Sequence, residues 1–192
     1  MSAPLHKIAK RAGSEPSELE LDVAKALVDI EASPTCDYKA DLKDVTVYSA
    51  QEIEVKAGRK AVIVHIPARV WKSVQRIQGR LIQELEKKFS KKHVVLVAHR
   101  TIVDTDYRRK GLKVRPRSRT LTSVHEAILE DIVAPVDISG KRTKFTTDNQ
   151  SVMKVILDAK EKERDTIQDK LDTFSVVYMK LTNKPAVFAF EA

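Results

Sequence analysis

A single α/β domain with a basic loop extruded from it is the fold this sequence predicts, on three observations. Its hydrophobic period switches repeatedly between the helical value of about 3.6 and the strand value of about two. Its 192 residues, 42% of them hydrophobic, suffice for one medium core or two small ones. No Gly/Ser linker, sequence repeat or low-complexity block divides the chain. The expected architecture is a mixed β-sheet packed with several α-helices. A basic N-terminal tail spans residues 1–13, the domain runs over 14–192, and the basic loop spans 104–119.

The tail carries Lys7, Lys10 and Arg11 without a core pattern and reads as mobile. Behind Pro16, Ser17-Glu18-Leu19-Glu20 is a capping box, in which serine and glutamate satisfy each other's free N–H groups. The helix it opens repeats apolar residues at Leu19, Val23, Leu27 and Ile30 and ends at Pro34. Its outer face is acidic (Glu20, Asp22, Asp29, Glu31) and reads as a solvated or protein-contacting surface. The period then becomes two. Val45, Val47 and the run Ile53–Val55, followed by Ala61–Ile66, predict two strands joined by hairpin chemistry at Lys56-Ala57-Gly58-Arg59 and stopped by Pro67.

Residues 68–89 predict an amphipathic helix, with Val70, Val74, Ile77, Leu81 and Leu85 in a narrow arc. Arg69, Lys72, Arg76, Arg80 and Lys87 fall opposite, and Trp71 flanks the apolar stripe as a core anchor. Lys87, Lys88, Lys91 and Lys92 continue the basic surface past the helix end. The apolar run Val94–Ala98 reads as a central strand. Thr122 is a candidate cap for a helix carrying Val124, Ile128, Leu129 and Ile132, closed by Pro135. Residues 136–147 and 151–157 read as a hairpin around Asp148-Asn149. A last helix over 164–182 repeats Ile167, Leu171, Phe174, Tyr178 and Leu181, with Asn183 as its left-handed cap and Val187–Phe190 as a closing strand.

Charge is unevenly placed. Residues 1–55 hold 6 basic and 11 acidic groups, residues 56–119 hold 19 and 4, and residues 120–192 hold 10 and 12. The middle third therefore carries the whole net excess of +8, the footprint of a polyanion binder. Within it, seven of the twelve residues 108–119 are basic, and no acid occurs between Asp106 and Glu126. Arginines alternating with proline, serine and small residues cannot bury themselves, so this stretch is expected to be disordered when free. Arg108, Arg109, Lys110, Lys113, Arg115, Arg117 and Arg119 join the helix cations as the candidate phosphate-binding set, with nuclear import as an alternative use of the stretch.

Other chemistry finds little support. The apolar runs are too short to span a bilayer, and the N-terminus lacks the apolar block of a secretory signal, so an intracellular protein is expected. The lone Cys36 excludes a disulfide framework within one chain. The five glycines build no dinucleotide turn or phosphate loop; Ser139-Gly140-Lys141-Arg142 matches only the tail of the latter and reads as a turn. The histidines at 6, 65, 93, 99 and 125 show no metal-ligand spacing. His125-Glu126, with Asp131 nearby, is a weak acid/base arrangement. No cofactor, metal or small-molecule substrate is expected. With few aromatics, recognition is expected through shape and backbone, which suits a large structured RNA.

Two long segments carry a resemblance. Leu81–Phe89 (LIQELEKKF) followed by His93-Val94-Val95, and Arg115–Ile132 (RPRSRTLTSVHEAILEDI), resemble the eukaryotic small-subunit ribosomal protein number seven family. The opening SELELDVAKALVDIE, residues 140–142 (GKR), Lys154–Asp158 (KVILD) and the ending FSVVYMKLTNKPAVFAF are similar to the same family, so the resemblance covers essentially the whole chain. The sequence departs from the family at Asn183, in place of the usual glycine, over residues 100–114 and at Ala134-Pro135-Val136. The resemblance implies a non-enzymatic component of the 40S subunit. Its implied partners are 18S rRNA, neighbouring small-subunit proteins on the platform side and, during biogenesis, assembly factors. It further implies a role in small-subunit assembly and pre-rRNA processing that starts in the nucleolus and ends on cytoplasmic ribosomes. The family's most RNA-like stretch maps onto Arg115, Arg117 and Arg119. A free regulatory module or an RNA-processing factor not stably bound to the ribosome remains the alternative at this point.

Overall fold

The strands sort into two sheets of three where the sequence predicts one mixed sheet, and the α/β class stands. The structure is a computed structural model that describes residues 5–10, 15–34, 37–90, 92–109, 111–147, 151–158 and 165–190. The first half runs α1 (Glu18–Ala32), α2 (Lys39–Lys43), β1 (Ser49–Glu54), β2 (Lys60–Pro67), α3 (Trp71–Lys88) and β3 (His93–His99). The second runs α4 (Leu121–Val133), β4 (Ile138–Phe145), β5 (Ser151–Leu157), α5 (Asp165–Gln168), α6 (Leu171–Thr182) and β6 (Ala186–Phe190).

Each sheet is a hairpin extended by a crossover. β1 lies antiparallel to β2, and the turn between them reverses through Gly58, whose φ of 73° is open to glycine at no steric cost. β3 then pairs parallel to β2, which requires a crossover, and α3 supplies it. The second sheet repeats the scheme: β4 and β5 form an antiparallel hairpin, and α6 carries the chain to β6, parallel to β5. Leaving aside the short helices α2 and α5, the order helix–strand–strand–helix–strand occurs twice, although no sequence repeat announces it.

The first sheet is buried on both faces because its alternating side chains serve two cores. Val62, Val64, Ile66, Val94, Leu96 and Ala98 join Val23, Leu27 and Ile30 of α1 and Val74, Ile77, Leu81 and Leu85 of α3. On the other face Ile63, Val95 and Val97 meet Leu129 and Ile132 of α4, Val155 and Leu157 of β5, and Phe174, Val177 and Tyr178 of α6. This explains a corrected expectation: β3 is an edge strand of its sheet, and β2 is central. Its unbroken apolarity reflects helices on both faces, α3 and α4, rather than strands on both sides.

The capping box forms as expected: Glu20 N–H donates to Ser17 Oγ (3.3 Å) and Ser17 N–H to the Glu20 carboxylate (2.8 Å). Trp71 is 5% exposed in the α3 core. Asn183 ends α6 at φ 55°, its N–H donating to Met179 O at 2.9 Å. Several boundaries differ, and β1 begins only at Ser49, so Val45 and Val47, expected in the first strand, precede it. Thr120, not Thr122, occupies the cap position of α4, and its hydroxyl donates to Arg117 O (2.8 Å) instead of accepting from the helix. The expected last helix is broken at Asp169-Lys170, where Lys170 Nζ reaches across to the Glu86 carboxylate of α3 at 2.6 Å. Ser139–Arg142 lies in strand β4 rather than a turn. The hairpin turn at Asp148-Asn149 lies outside the described residues.

Residues 5–10 are packed, against the expectation of a mobile tail over 1–13. Over residues 5–10, Leu5–Lys7 forms a 3-10 turn and Ile8 makes a parallel bridge with Val47. Lys7 is 1% exposed; its ammonium donates to the carbonyls of Leu42 (2.9 Å) and Lys43 (3.0 Å) and pairs with Glu31 (2.8 Å). Lys10 pairs with Glu20 at 2.6 Å. Lys7→Met would leave the α2 carbonyls and a carboxylate without their donor. The expected loss is about 1.5–3 kcal/mol of stability, the worth of hydrogen bonds to a charged group, read from urea unfolding.

Candidate nucleic-acid interface

Helix α3 separates its faces cleanly. With the apolar stripe held against the first sheet, Arg69, Lys72, Arg76 and Arg80 are exposed in the helix and the turn before it. Lys72, Arg76 and Arg80 follow one another at four-residue spacing, so their side chains stand in a row along the axis. None of the four has an acidic partner among the described residues, and adjacent like charges repel until an anion arrives.

The continuation past the helix end is different. Lys87 pairs with Glu84 (2.7 Å), Lys88 with Asp29 (3.0 Å) and Lys92 with Glu52 (3.1 Å). The Lys92 hydrogen bond holds the Glu52 carboxyl below its ordinary range. These three cations are partly neutralised within the chain, and Lys91 lies outside the described residues. The acidic face of α1 accounts for part of this. Glu20, Asp22, Asp29 and Glu31 pair with Lys10, Lys25, Lys88 and Lys7, so that face is engaged internally rather than left wholly for water or a partner.

The basic loop connects β3 to α4 and is fastened at its base. Val103 N–H donates to Arg119 O (2.8 Å), and Arg115 Nε donates to Val103 O (2.9 Å). Two 3-10 turns, Thr105–Arg108 and Arg117–Arg119, shape the segment between, and the Arg108 guanidinium lies 5.9 Å from the Tyr107 ring centre. Arg108, Arg109, Lys113, Arg117 and Arg119 are exposed and lack an acidic partner among the described residues. Arg115 is half-buried, with Nε committed to the loop base and no hydrogen-bond partner for its terminal nitrogens among the described residues. Lys110 lies outside the described residues. Val114, in the same loop, is 74% exposed, an apolar side chain without a core of its own.

A buried charge cluster that periodicity did not reveal underlies the start of the loop. Arg100 pairs with Asp131 of α4, the second contact being 3.2 Å, and Ala98 N–H donates to the same carboxylate at 3.1 Å. The Arg100 guanidinium also sits 5.9 Å from the centre of the Trp71 ring. Burial pushes the Asp131 pKa up, against the opposing pull of Arg100. Because Asp131 is held in this way, it is not available to a His125-Glu126 acid/base pair, and Glu126 itself pairs with Lys141 at 3.6 Å. Burial and the Lys184 charge favour neutral His125. No group of three or more His, Cys, Asp or Glu side chains gathers as a metal site among the described residues. Among them, no helix is long and apolar enough to cross a membrane.

The family model described as Ribosomal protein S7e matches residues 7–190. The chain is 50% identical to the small ribosomal subunit protein eS7 of Avicennia marina over 191 residues, 99% of this chain and 98% of that one. It is 46% identical to eS7 of Schizosaccharomyces pombe over 99% of this chain and 96% of that one. Against eS7 of Drosophila melanogaster the identity is 46%, covering 96% of this chain and 94% of the relative.

Proposed function

The chain belongs to the ribosomal protein S7e family, and from that membership we propose that it binds 18S rRNA through the α3 cations and the Arg108–Arg119 loop. It is a structural component of the small ribosomal subunit, in a family of structural proteins rather than enzymes. Its partners are rRNA and neighbouring ribosomal proteins, and its place is the cytoplasmic ribosome. Contact with assembly factors, pre-rRNA processing and a nucleolar stage extend the same reading.

The observation that carries the RNA assignment is the contrast between two sets of cations. Those of the N-terminal segment and at the end of α3 find acids within the chain, whereas Arg69, Lys72, Arg76, Arg80 and the exposed loop arginines find none among the described residues. A surface that leaves its cations unneutralised repels itself and is stabilised by a polyanion. The exposed Val114 fits a loop whose packing is completed by the partner.

The mechanism is backbone recognition. Guanidinium forks pair with phosphate oxygens, bound counterions are released, and affinity falls with salt. Replacing Arg69, Lys72, Arg76 and Arg80 together by Gln is expected to make the log–log salt slope of rRNA binding shallower by about 2.8 to 3.6. Filter binding of the full chain to small-subunit rRNA reads this directly. A slope equal to the wild-type value would remove the α3 face from the interface.

A further inference from the structure

The β4–β5 hairpin carries a second set of cations that the helix and loop do not account for. Lys141, Thr143 and Phe145 line a groove against α4, so strand alternation sends Arg142 and Lys144 to the opposite, outward face. Arg142 is registered directly opposite Lys154 of β5, and Lys144 opposite Val152. Arg142, Lys144 and Lys154 therefore share one exposed face, and none has an acidic partner among the described residues. Lys141, on the groove face, does have one in Glu126.

Like charges directly opposite on neighbouring strands are destabilising, with side chains rooted only about 5 Å apart. Lysines on an edge strand can be explained as a guard against pairing with other chains, and β4 is such an edge. That explanation does not reach Lys154, which lies on the central strand of its sheet. The hairpin also runs to the right place. Thr122, at the start of α4, lines the same groove as Phe145 and Ser151, which puts the far end of the hairpin beside the end of α4 that the Arg117–Arg119 turn leads into.

We propose that Arg142, Lys144 and Lys154 form a second phosphate-binding surface, so that hairpin and loop flank one end of α4 as two arms on rRNA. This inference rests on the RNA-binding reading above. The end of the hairpin that carries Lys144 extends past β6 as a two-stranded ribbon narrow enough to follow a nucleic-acid backbone. Arg142 and Lys154 lie at its root, where Lys154 is also paired with Val187 of β6. Three outward cations at strand spacing match successive phosphates better than an apolar protein surface.

The test is the salt dependence of binding between the full chain and purified small-subunit rRNA. The variant Arg142→Gln/Lys144→Gln/Lys154→Gln is expected to bind with a slope shallower by about 2 to 3, while Arg142→Lys/Lys144→Arg/Lys154→Arg keeps the wild-type slope. If the triple variant proves unfolded by circular dichroism, each single substitution is expected to flatten the slope by about 0.7 to 0.9. A hairpin variant with the wild-type slope, beside a loop variant that flattens it, overturns this proposal and leaves the RNA-binding reading standing. If neither flattens the slope, both fall. A hairpin variant that keeps its slope but fails to enter small subunits, or that self-associates, also overturns it, in favour of a protein contact or an edge guard.

Discussion

Replacing Arg115, Arg117 and Arg119 by alanine is expected to blunt the salt sensitivity of rRNA binding strongly. Three lost phosphate contacts make the log–log slope shallower by about 2.1 to 2.7, so the fall in affinity between 50 and 200 mM salt shrinks by about 20- to 40-fold. The structure separates the three residues. Arg117 and Arg119 stand exposed on one 3-10 turn, whereas Arg115 also holds the loop base through Val103 O. Arg117→Ala and Arg119→Ala should therefore each change the slope alone. Arg115→Ala should in addition loosen the loop, seen as faster proteolysis between Ile102 and Pro116. Lysine at 117 and 119 should keep the slope while weakening affinity, because a point charge replaces a planar fork.

Arg100→Met is expected to be the most destabilising single substitution outside the apolar cores. It leaves the carboxylate of Asp131, whose side chain is only 3% exposed, without its cation, and breaking a buried pair by removing one partner costs about 3–5 kcal/mol. The pH dependence has a defined sign. Burial has already raised the Asp131 pKa in the fold, so its charged form is less favourable there than in the unfolded chain. The loss in Arg100→Met is thus greatest at neutral pH and diminishes as pH falls through the raised pKa and Asp131 takes up a proton. Urea midpoints at pH 7 and pH 5 should show the gap to wild type narrowing at the lower value. A gap of equal size at both would mean that Asp131 is not the group left stranded.

Most of the regular elements were legible because their patterns are local. The Ser17–Glu20 box, the stripe from Val70 to Leu85 and the Asn183 cap each require only a few neighbouring residues, and each forms where expected. The misplacement of β3 has a different origin: apolarity on both faces reports burial, and burial by two helices looks the same in sequence as burial between two strands. Residues 5–10 carry no core pattern in sequence because Lys7 is a charged residue in a core role, made possible by the α2 carbonyls and Glu31, which lie 24 or more positions away. The same non-local pairing decides which cations are open. Lys88 and Arg80 look alike in sequence, yet among the described residues only Lys88 meets an acid, Asp29 of α1. The hairpin cations became a surface only once the register placed Lys154 opposite Arg142.

On the proposed function, cations of α3 and the loop that lack acid partners hold this chain stably on small-subunit rRNA. Sedimentation of a gentle lysate, with and without magnesium, tests it most directly when wild type is compared with a variant lacking Arg69, Arg76, Arg117 and Arg119. Wild type is expected to travel with small subunits, whole ribosomes and polysomes, and to remain with the small subunit when magnesium removal splits them. The variant should shift toward the top of the gradient, the more so as salt is raised. Wild type found among free proteins in both conditions, or a variant that stays bound as salt rises, would contradict it.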